Sequence, residues 1–290
     1  MSVSWKISMV AVTLLALPAV APHAGEFRES DRVTRVDVGG YRYSFSQGHA
    51  LYGPWWGGRV RVANSPAAGS PGATGIFEAV AERRNDPGNP VTGVYLVGSG
   101  YYDWNDHLYT YSAIGYGSNE NFAHFTAHQE LDMKMFSDRS VVVSLGGGYL
   151  DYQSGDNTPY ISAGSAYYWN DSFDPRRSVI LQYQYRRYFS SVNNGQLGTH
   201  IFGVSVRSGD AHTLSVRYLR GPEAYTVGGG LVPTTNATLF GRSLSAEYET
   251  RIDAKYGFAV GVDFIEKVDQ SNDATLYRGP GVRARIIRFL

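Results

Sequence analysis

The chain contains no cysteine. That absence excludes disulfides, thiolate metal sites, a cysteine nucleophile and an N-terminal lipidated cysteine anchor. An excess of one charge is missing too: 26 Lys and Arg stand against 26 Asp and Glu, a formal net charge of +0. A nucleic-acid partner would call for a basic face, so none is expected. Beyond the N-terminal segment no apolar run approaches the roughly 20 residues that a spanning helix requires. No helix of the mature chain is therefore expected to cross a membrane. Mean hydropathy is slightly polar, unlike that of a helical membrane protein. It suits a β-barrel, in which only alternate residues face lipid.

What is present is tyrosine and glycine, 22 and 34 in 290 residues. Tyrosine joins an apolar ring to a wet hydroxyl and belongs at interfaces. The length suits one large β domain or two small ones. At the N-terminus, Lys6 precedes an apolar run from Ile7 to Leu17, followed by Pro18, Ala19, Val20 and Ala21. A short positive region, a short apolar core and small exit residues are the layout of a secretory signal. Cleavage fits after Ala21, although Pro22 follows, and after Ala24. We divide the chain into a signal peptide, residues 1–24, and a β-barrel, residues 25–290.

Short segments alternating apolar and polar recur to the C-terminus, the period of a strand whose side chains leave opposite faces in turn. In 178–189, Val179, Leu181, Tyr183, Tyr185 and Phe189 share one face, and Gln182, Gln184, Arg186 and Tyr188 the other. Leu214, Val216 and Tyr218 oppose Thr213, Ser215 and Arg217, and Phe258, Val260, Val262 and Phe264 oppose Ala259, Gly261 and Asp263. The pattern predicts fourteen strands: 34–45, 56–63, 75–83, 92–103, 108–116, 124–135, 140–152, 159–169, 178–189, 199–207, 212–220, 239–251, 256–266 and 278–290. Twelve is the alternative if 56–63 and 75–83 do not span.

Connections alternate in length. Short turns are expected at Asn105-Asp106, Ser137-Asp138-Arg139, Gly209-Asp210-Ala211 and Asp253-Ala254-Lys255, and longer polar loops at 84–90, 153–158, 190–198, 221–238 and 267–277. Two connections, 64–74 and 170–177, blur the pattern. Short periplasmic turns and long external loops mark a bacterial outer-membrane barrel, and an even strand number puts both termini on the periplasmic side. An open sheet edge in hydrocarbon leaves unpaired N–H and C=O groups at several kcal/mol each, so such a chain must close. The fold class predicted is all-β, a closed antiparallel up-and-down transmembrane barrel. A soluble β-sandwich with the same alternation would need a second apolar layer to bury its larger side chains.

Aromatics near strand ends are expected to form a membrane girdle. Tyr101, Tyr102, Trp104, Phe136, Tyr167 and Trp169 are assigned to the periplasmic side, and Tyr41, Tyr43, Phe45, Trp55 and Trp56 to part of the outer one. The predicted lumen lining is Arg59, Arg61, Glu78, Glu82, Asp132, Arg186, Arg217, Glu247, Asp263, Arg283 and Arg285. Both signs occur, which suits ion-pair ladders across a narrow barrel and not a strongly ion-selective pore. Gly146, Gly147 and Gly148 inside one strand predict a bend or a slot for a neighbouring ring.

The stretch from Tyr109 to Phe189 resembles the YaiO-type outer-membrane β-barrel family. The residues that carry the resemblance are Gly115-Tyr116-Gly117, Glu130-Leu131-Asp132, Gly146-Gly147-Gly148-Tyr149, Tyr167-Tyr168-Trp169 and Tyr185-Arg186-Arg187-Tyr188-Phe189. The resemblance implies a surface-associated barrel without established enzymatic chemistry, near envelope or exopolysaccharide systems. The last strand, Val282 to Leu290, resembles the terminal signal read by barrel-assembly machinery, although here Phe289 is penultimate and Leu290 is last.

Chemistry is sparse. A lipid hydrolase of the barrel type resembles a His-x-Ser pair with a supporting Asn. Among His49, His107, His124, His128, His200 and His212 none has Ser two places on, and His124 has Thr126. His124 and His128 are four apart, about 13 Å along a strand at roughly 3.4 Å per residue, too far for one ion. Glu247 and Glu249, and Glu78 and Glu82, share strand faces and read as lumen wall. Asp151, Asp156 and Asn157 match no recognised calcium-loop spacing. No catalytic residue, metal or cofactor is predicted. The expected partners are outer-membrane lipid, barrel-assembly machinery and a small solute or polysaccharide. The expected function is a non-enzymatic passive channel or an accessory of envelope or exopolysaccharide export. A lipid-modifying barrel enzyme and a structural or adhesive surface barrel are the alternatives.

Overall fold

The computed structural model describes residues 34–45, 53–65, 73–86, 89–119, 122–152, 155, 157–170, 177–189, 196–209, 211–221, 226–227, 230–231, 239–269 and 275–290. The signal segment 1–24 and His49 lie outside these residues. The strands in chain order are β1 (Thr34–Tyr43), β2 (Trp55–Asn64), β3 (Ala73–Asp86), β4 (Asn89–Asp103), β5 (Leu108–Gly117), β6 (Phe125–Met135), β7 (Val141–Asp151) and β8 (Asn157–Asn170). They continue as β9 (Ser178–Phe189), β10 (Gln196–Ser208), β11 (His212–Gly221), β12 (Thr226–Val227), β13 (Gly230–Leu231), β14 (Leu239–Arg251), β15 (Tyr256–Asp269) and β16 (Thr275–Phe289).

All strands except β12 and β13 form one closed antiparallel barrel of fourteen, each paired with its chain neighbour, and β16 closes on β1. Register at the seam runs from Arg35 opposite Phe289 to Tyr43 opposite Gly281. Closure leaves no sheet edge to meet hydrocarbon, which is what lets a polar backbone cross a bilayer. Segments 56–63 and 75–83 both lie in full strands, so the twelve-strand alternative falls. β12 and β13 form a separate two-residue ladder within the 222–238 connection.

The alternation holds around the barrel. Val38, Phe77, Leu145, Leu181, Phe202, Val262 and Ile286 are exposed on the outer face. Asp37, Glu82, Asp132, Ser162, Ser245 and Asp263 are buried inside. No second layer covers the apolar side chains among the described residues, so the sandwich alternative has nothing to stand on.

The short turns are built from local polar contacts. Asn105 Oδ1 accepts the backbone N–H of His107 at 2.9 Å and of Leu108 at 3.0 Å. Phe136 and Arg139 adopt positive φ (66° and 56°) at the next turn, where Asp138 Oδ1 accepts the Ser140 N–H at 3.1 Å. Asp253 Oδ1 accepts from the N–H groups of Lys255 and Tyr256, both at 2.7 Å. Those two N–H donors hold the Asp253 carboxyl below the usual aspartate range.

One predicted loop is corrected. Residues 84–90 are not a long loop: β3 and β4 pair out to Asp86 opposite Asn89 and leave only residues 87–88 between them. Polar composition at 84–86 signals solvent, and a hairpin can carry paired strands beyond the membrane into solvent.

Candidate functional site: the barrel lumen

Period two decides which side chains reach the lumen, because one inward residue fixes the parity of its strand. The interior holds a cavity of about 580 Å³. Of the residues predicted to line it, Arg59, Arg61, Glu78, Asp132, Arg186, Arg217, Glu247 and Arg285 border this cavity. Glu82, Asp263 and Arg283 also point inward but are buried beside it, held by Tyr41, Tyr43 and Glu247 respectively.

Two walls differ in chemistry. The wall formed by β14, β15, β16, β1, β2 and β3 is an ion-pair ladder. Arg285 donates to Asp37 at 2.8 Å, Glu247 at 2.5 Å and Glu249 at 2.8 Å. Arg35 bonds Asp37 at 2.8 Å and Glu249 at 2.7 Å, and Arg283 pairs with Asp263 and with Glu247 at 2.9 Å. Arg59 pairs with Glu78 at 2.6 Å. Asp37 thus meets two arginines directly and a third, Arg61, at 3.9 Å. Arg35 and Asp37 join the lining beyond the residues that the strand pattern predicts there. The signal was present, since Val36 and Val38 flank Asp37 in strand alternation.

The wall formed by β4 to β9 is tyrosine, amide and histidine. Gln184 donates to Glu130 at 2.7 Å and accepts from Arg186 at 3.2 Å. Glu130 lies on β6 and Gln184 on β9. The bond passes over β7 and β8, where the intervening inward positions are Ser144, Gly146, Ser162 and Gly164. The His128 ring stacks on Tyr160 and shares a hydrogen bond with its hydroxyl at 2.9 Å. Tyr160 lies where a Cβ on Gly148 would stand, 2.5 Å from its hydroxyl, so this glycine is the slot for that ring.

Toward the loop ends, aromatic side chains pack together inside the barrel. Tyr41, Tyr43, Trp55, Val80, Tyr95, Phe122, Ile265 and Tyr277 form one buried cluster. Ala123, Leu150, Tyr152, Tyr160 and Tyr188 form another. Phe122 and Ala123 belong to the β5–β6 connection, tied over β4 by Asn119 Nδ2 donating to the Thr92 carbonyl at 2.6 Å. This corrects the outer-girdle assignment of Tyr41, Tyr43 and Trp55, which are buried inside, with Phe45 packed against the same cluster. They share the parity of inward Asp37 and Arg59. Trp56 alone of that group is exposed on the outer face.

At the periplasmic side, Trp104, Phe136, Tyr167 and Trp169 are exposed outward. Tyr102 stacks edge-on against Trp104 with ring centroids 4.6 Å apart. Tyr101 is a correction: it lines the cavity with Val97 and Ser99, whose parity it shares, and packs on Tyr111 at 4.7 Å.

The suggested reactive pairs come apart. Thr126 shares its hydroxyl hydrogen bond with Tyr95 at 2.7 Å, while His124 faces Asp151 at 3.4 Å. Asn157 accepts from the Tyr149 hydroxyl, and Asp156 lies outside the described residues. Among the described residues no three His, Asp or Glu side chains gather as metal ligands.

A closed antiparallel barrel, apolar outside and polar within, defines a transmembrane β-barrel of the bacterial outer membrane. Residues 34–226 match the YaiO membrane beta barrel domain, and the chain belongs to that family. The match extends well beyond the 109–189 stretch that carried the resemblance in sequence. In fold the chain is similar to the CymD monoaromatic hydrocarbon channel, with a TM-score of 0.54 and 8% identity over 91% of this chain and 89% of that one. It is likewise similar to the Acinetobacter baumannii outer membrane protein Omp33, with a TM-score of 0.50 and 9% identity over 87% and 97% of the two chains. No curated protein matches it.

Proposed function

We propose that this barrel is a non-enzymatic, narrow channel for small polar solutes. The observation that carries the reading is the cavity of about 580 Å³ at mid-lumen, bordered by arginines, carboxylates, glutamines and tyrosines. Most of the charges on its ladder wall are neutralised in place by ion pairs, so the lumen offers hydrogen bonds without a strong field of one sign. A neutral or zwitterionic solute fits that lining better than a bare ion. The size suits a small molecule and not a polymer in transit. Among the described residues His124 and Thr126 bond to different partners, Asp151 and Tyr95, so this pair lends the enzymatic alternative no support.

A second reading, an accessory of envelope or exopolysaccharide export, draws support from the aromatic packing toward the loop ends. A lumen packed with Trp55, Tyr43 and Phe122 suits a barrel that serves as scaffold. Residues 1–24 act in this picture as the secretory signal, and the terminal strand β16 as the segment that assembly machinery engages.

Planar bilayers separate the two. The channel reading expects discrete, low conductance with a reversal potential near zero in a salt gradient. Glu78→Gln, which leaves Arg59 without its carboxylate, should then shift selectivity toward anions. A folded barrel that never conducts overturns the channel reading and leaves the scaffold.

A further inference from the structure

The membrane belt is not uniform around the ring. On β15 the outward side chains Phe258, Val260, Val262 and Phe264 are all exposed and all apolar. β6 stands directly across the ring from β15, seven strands away in either direction. There Gln129 is exposed on the outer face. It shares the parity of Leu131 and Met133, which are exposed outward, and alternates with His128, Glu130 and Asp132, which line the cavity. Met135 ends β6 six positions further on, so Gln129 stands roughly 15 Å above that periplasmic end at a strand tilt of about 40°. That depth is inside the apolar belt, where no water completes a polar group.

The Gln129 amide is half satisfied. Its register partner on β5 is Ser112, whose Oγ donates to Gln129 Oε1 at 2.7 Å. Among the described residues Gln129 Nε2 has no partner, so its two N–H donors and the second lone pair of Oε1 face hydrocarbon. An unmet amide in an apolar medium is costly. A polar side chain at this depth marks contact with something other than lipid tails. The surroundings leave room for that contact. The row of Ser112 and Gln129 continues into Gly100 on β4 and Gly147 on β7. Gly98 beside it borders open space, since a Cβ there would meet nothing within 4 Å.

A primary amide is completed by a second primary amide, each donating one N–H to the other's oxygen. Copies of the chain inserted in the same direction are related by a two-fold axis along the membrane normal. That axis sets residue 129 of one copy against residue 129 of the other at one depth. We propose that the outer face of β4 to β7 is a homodimer interface within the membrane, with the Gln129 amides of two copies bonded to each other at its centre. Ser112 holds each amide in position, and the apolar face on β15 stays in lipid. The interface is on the outside of the barrel and is independent of what passes through the lumen.

The test uses the full folded barrel in phosphatidylcholine liposomes. Energy transfer between copies labelled at the amino terminus reads the dimer fraction over a range of protein-to-lipid ratios. The wild type should dimerise, and Q129L should weaken the dimer at least tenfold. Q129N, whose amide is shorter by one methylene, should keep part of the affinity, and V262A on β15 should keep all of it. A wild type that stays monomeric throughout overturns the proposal, leaves the amide to lipid or to a different membrane protein, and needs no variant to fold. A folded Q129L barrel that dimerises as tightly as the wild type also overturns it, as does equal weakening by V262A.

Discussion

At the scale of single residues, polar side chains act where the chain turns and where it packs inward. Asp253 sits in a fully exposed turn, and its carboxylate is stabilised first by the N–H of Lys255 and then by that of Tyr256. A carboxyl held below its unfolded range stabilises the fold above the ordinary aspartate pKa of about 3.9. That contribution disappears as pH falls through the lower folded value. Asp253→Asn, which keeps an acceptor but no charge, should be less stable than wild type at neutral pH, and the gap should close on acidification below about pH 4. Urea unfolding at a series of pH values measures the gap; a difference that does not change with pH would refute the assignment.

At the scale of elements, the seam strands are held by more than their backbone ladder. Asp37 on β1 is 2% exposed and accepts from Arg35 and Arg285. Its loss would leave the half-buried guanidiniums of Arg35 and Arg285 with fewer counter-charges across the β1–β16 closure, Glu247 and Glu249 remaining. Breaking a buried ion pair from one side costs about 3–5 kcal/mol. Asp37→Ala should therefore destabilise the barrel by about 3 kcal/mol, while Asp37→Asn, which preserves two acceptor lone pairs, should cost less. Folding measurements in lipid or detergent read the difference, and wild-type stability in Asp37→Ala would show that the ladder is ornamental. Much of this wall was legible beforehand, since Glu247, Glu249, Arg283 and Arg285 repeat at period two. Tyr41, Tyr43, Trp55 and Tyr101 were misplaced because aromatic residues suit both a membrane interface and a packed lumen. Only the parity set by Asp37, Arg59 and Ser99 sends them inward.

At the scale of the whole molecule, closure is the source of cohesion. Every barrel strand bonds two neighbours, so no strand can leave without opening the ring. Such a barrel should migrate on SDS gels at a different position unboiled and boiled, because detergent does not open it until heated. Identical migration in the two conditions would contradict the closed fold.

Residue order alone settled the sidedness of most positions and the membrane belt, because strand alternation is local and each residue's face follows from its neighbours, whereas fourteen strands rather than twelve was settled by the closed ring. Tertiary structure decided what meets inside. Glu130 and Gln184 are 54 positions apart, and Phe122 joins a buried cluster whose other members come from β1, β2, β3, β4, β15 and β16. Those meetings depend on register accumulated over the whole ring, which no local pattern encodes.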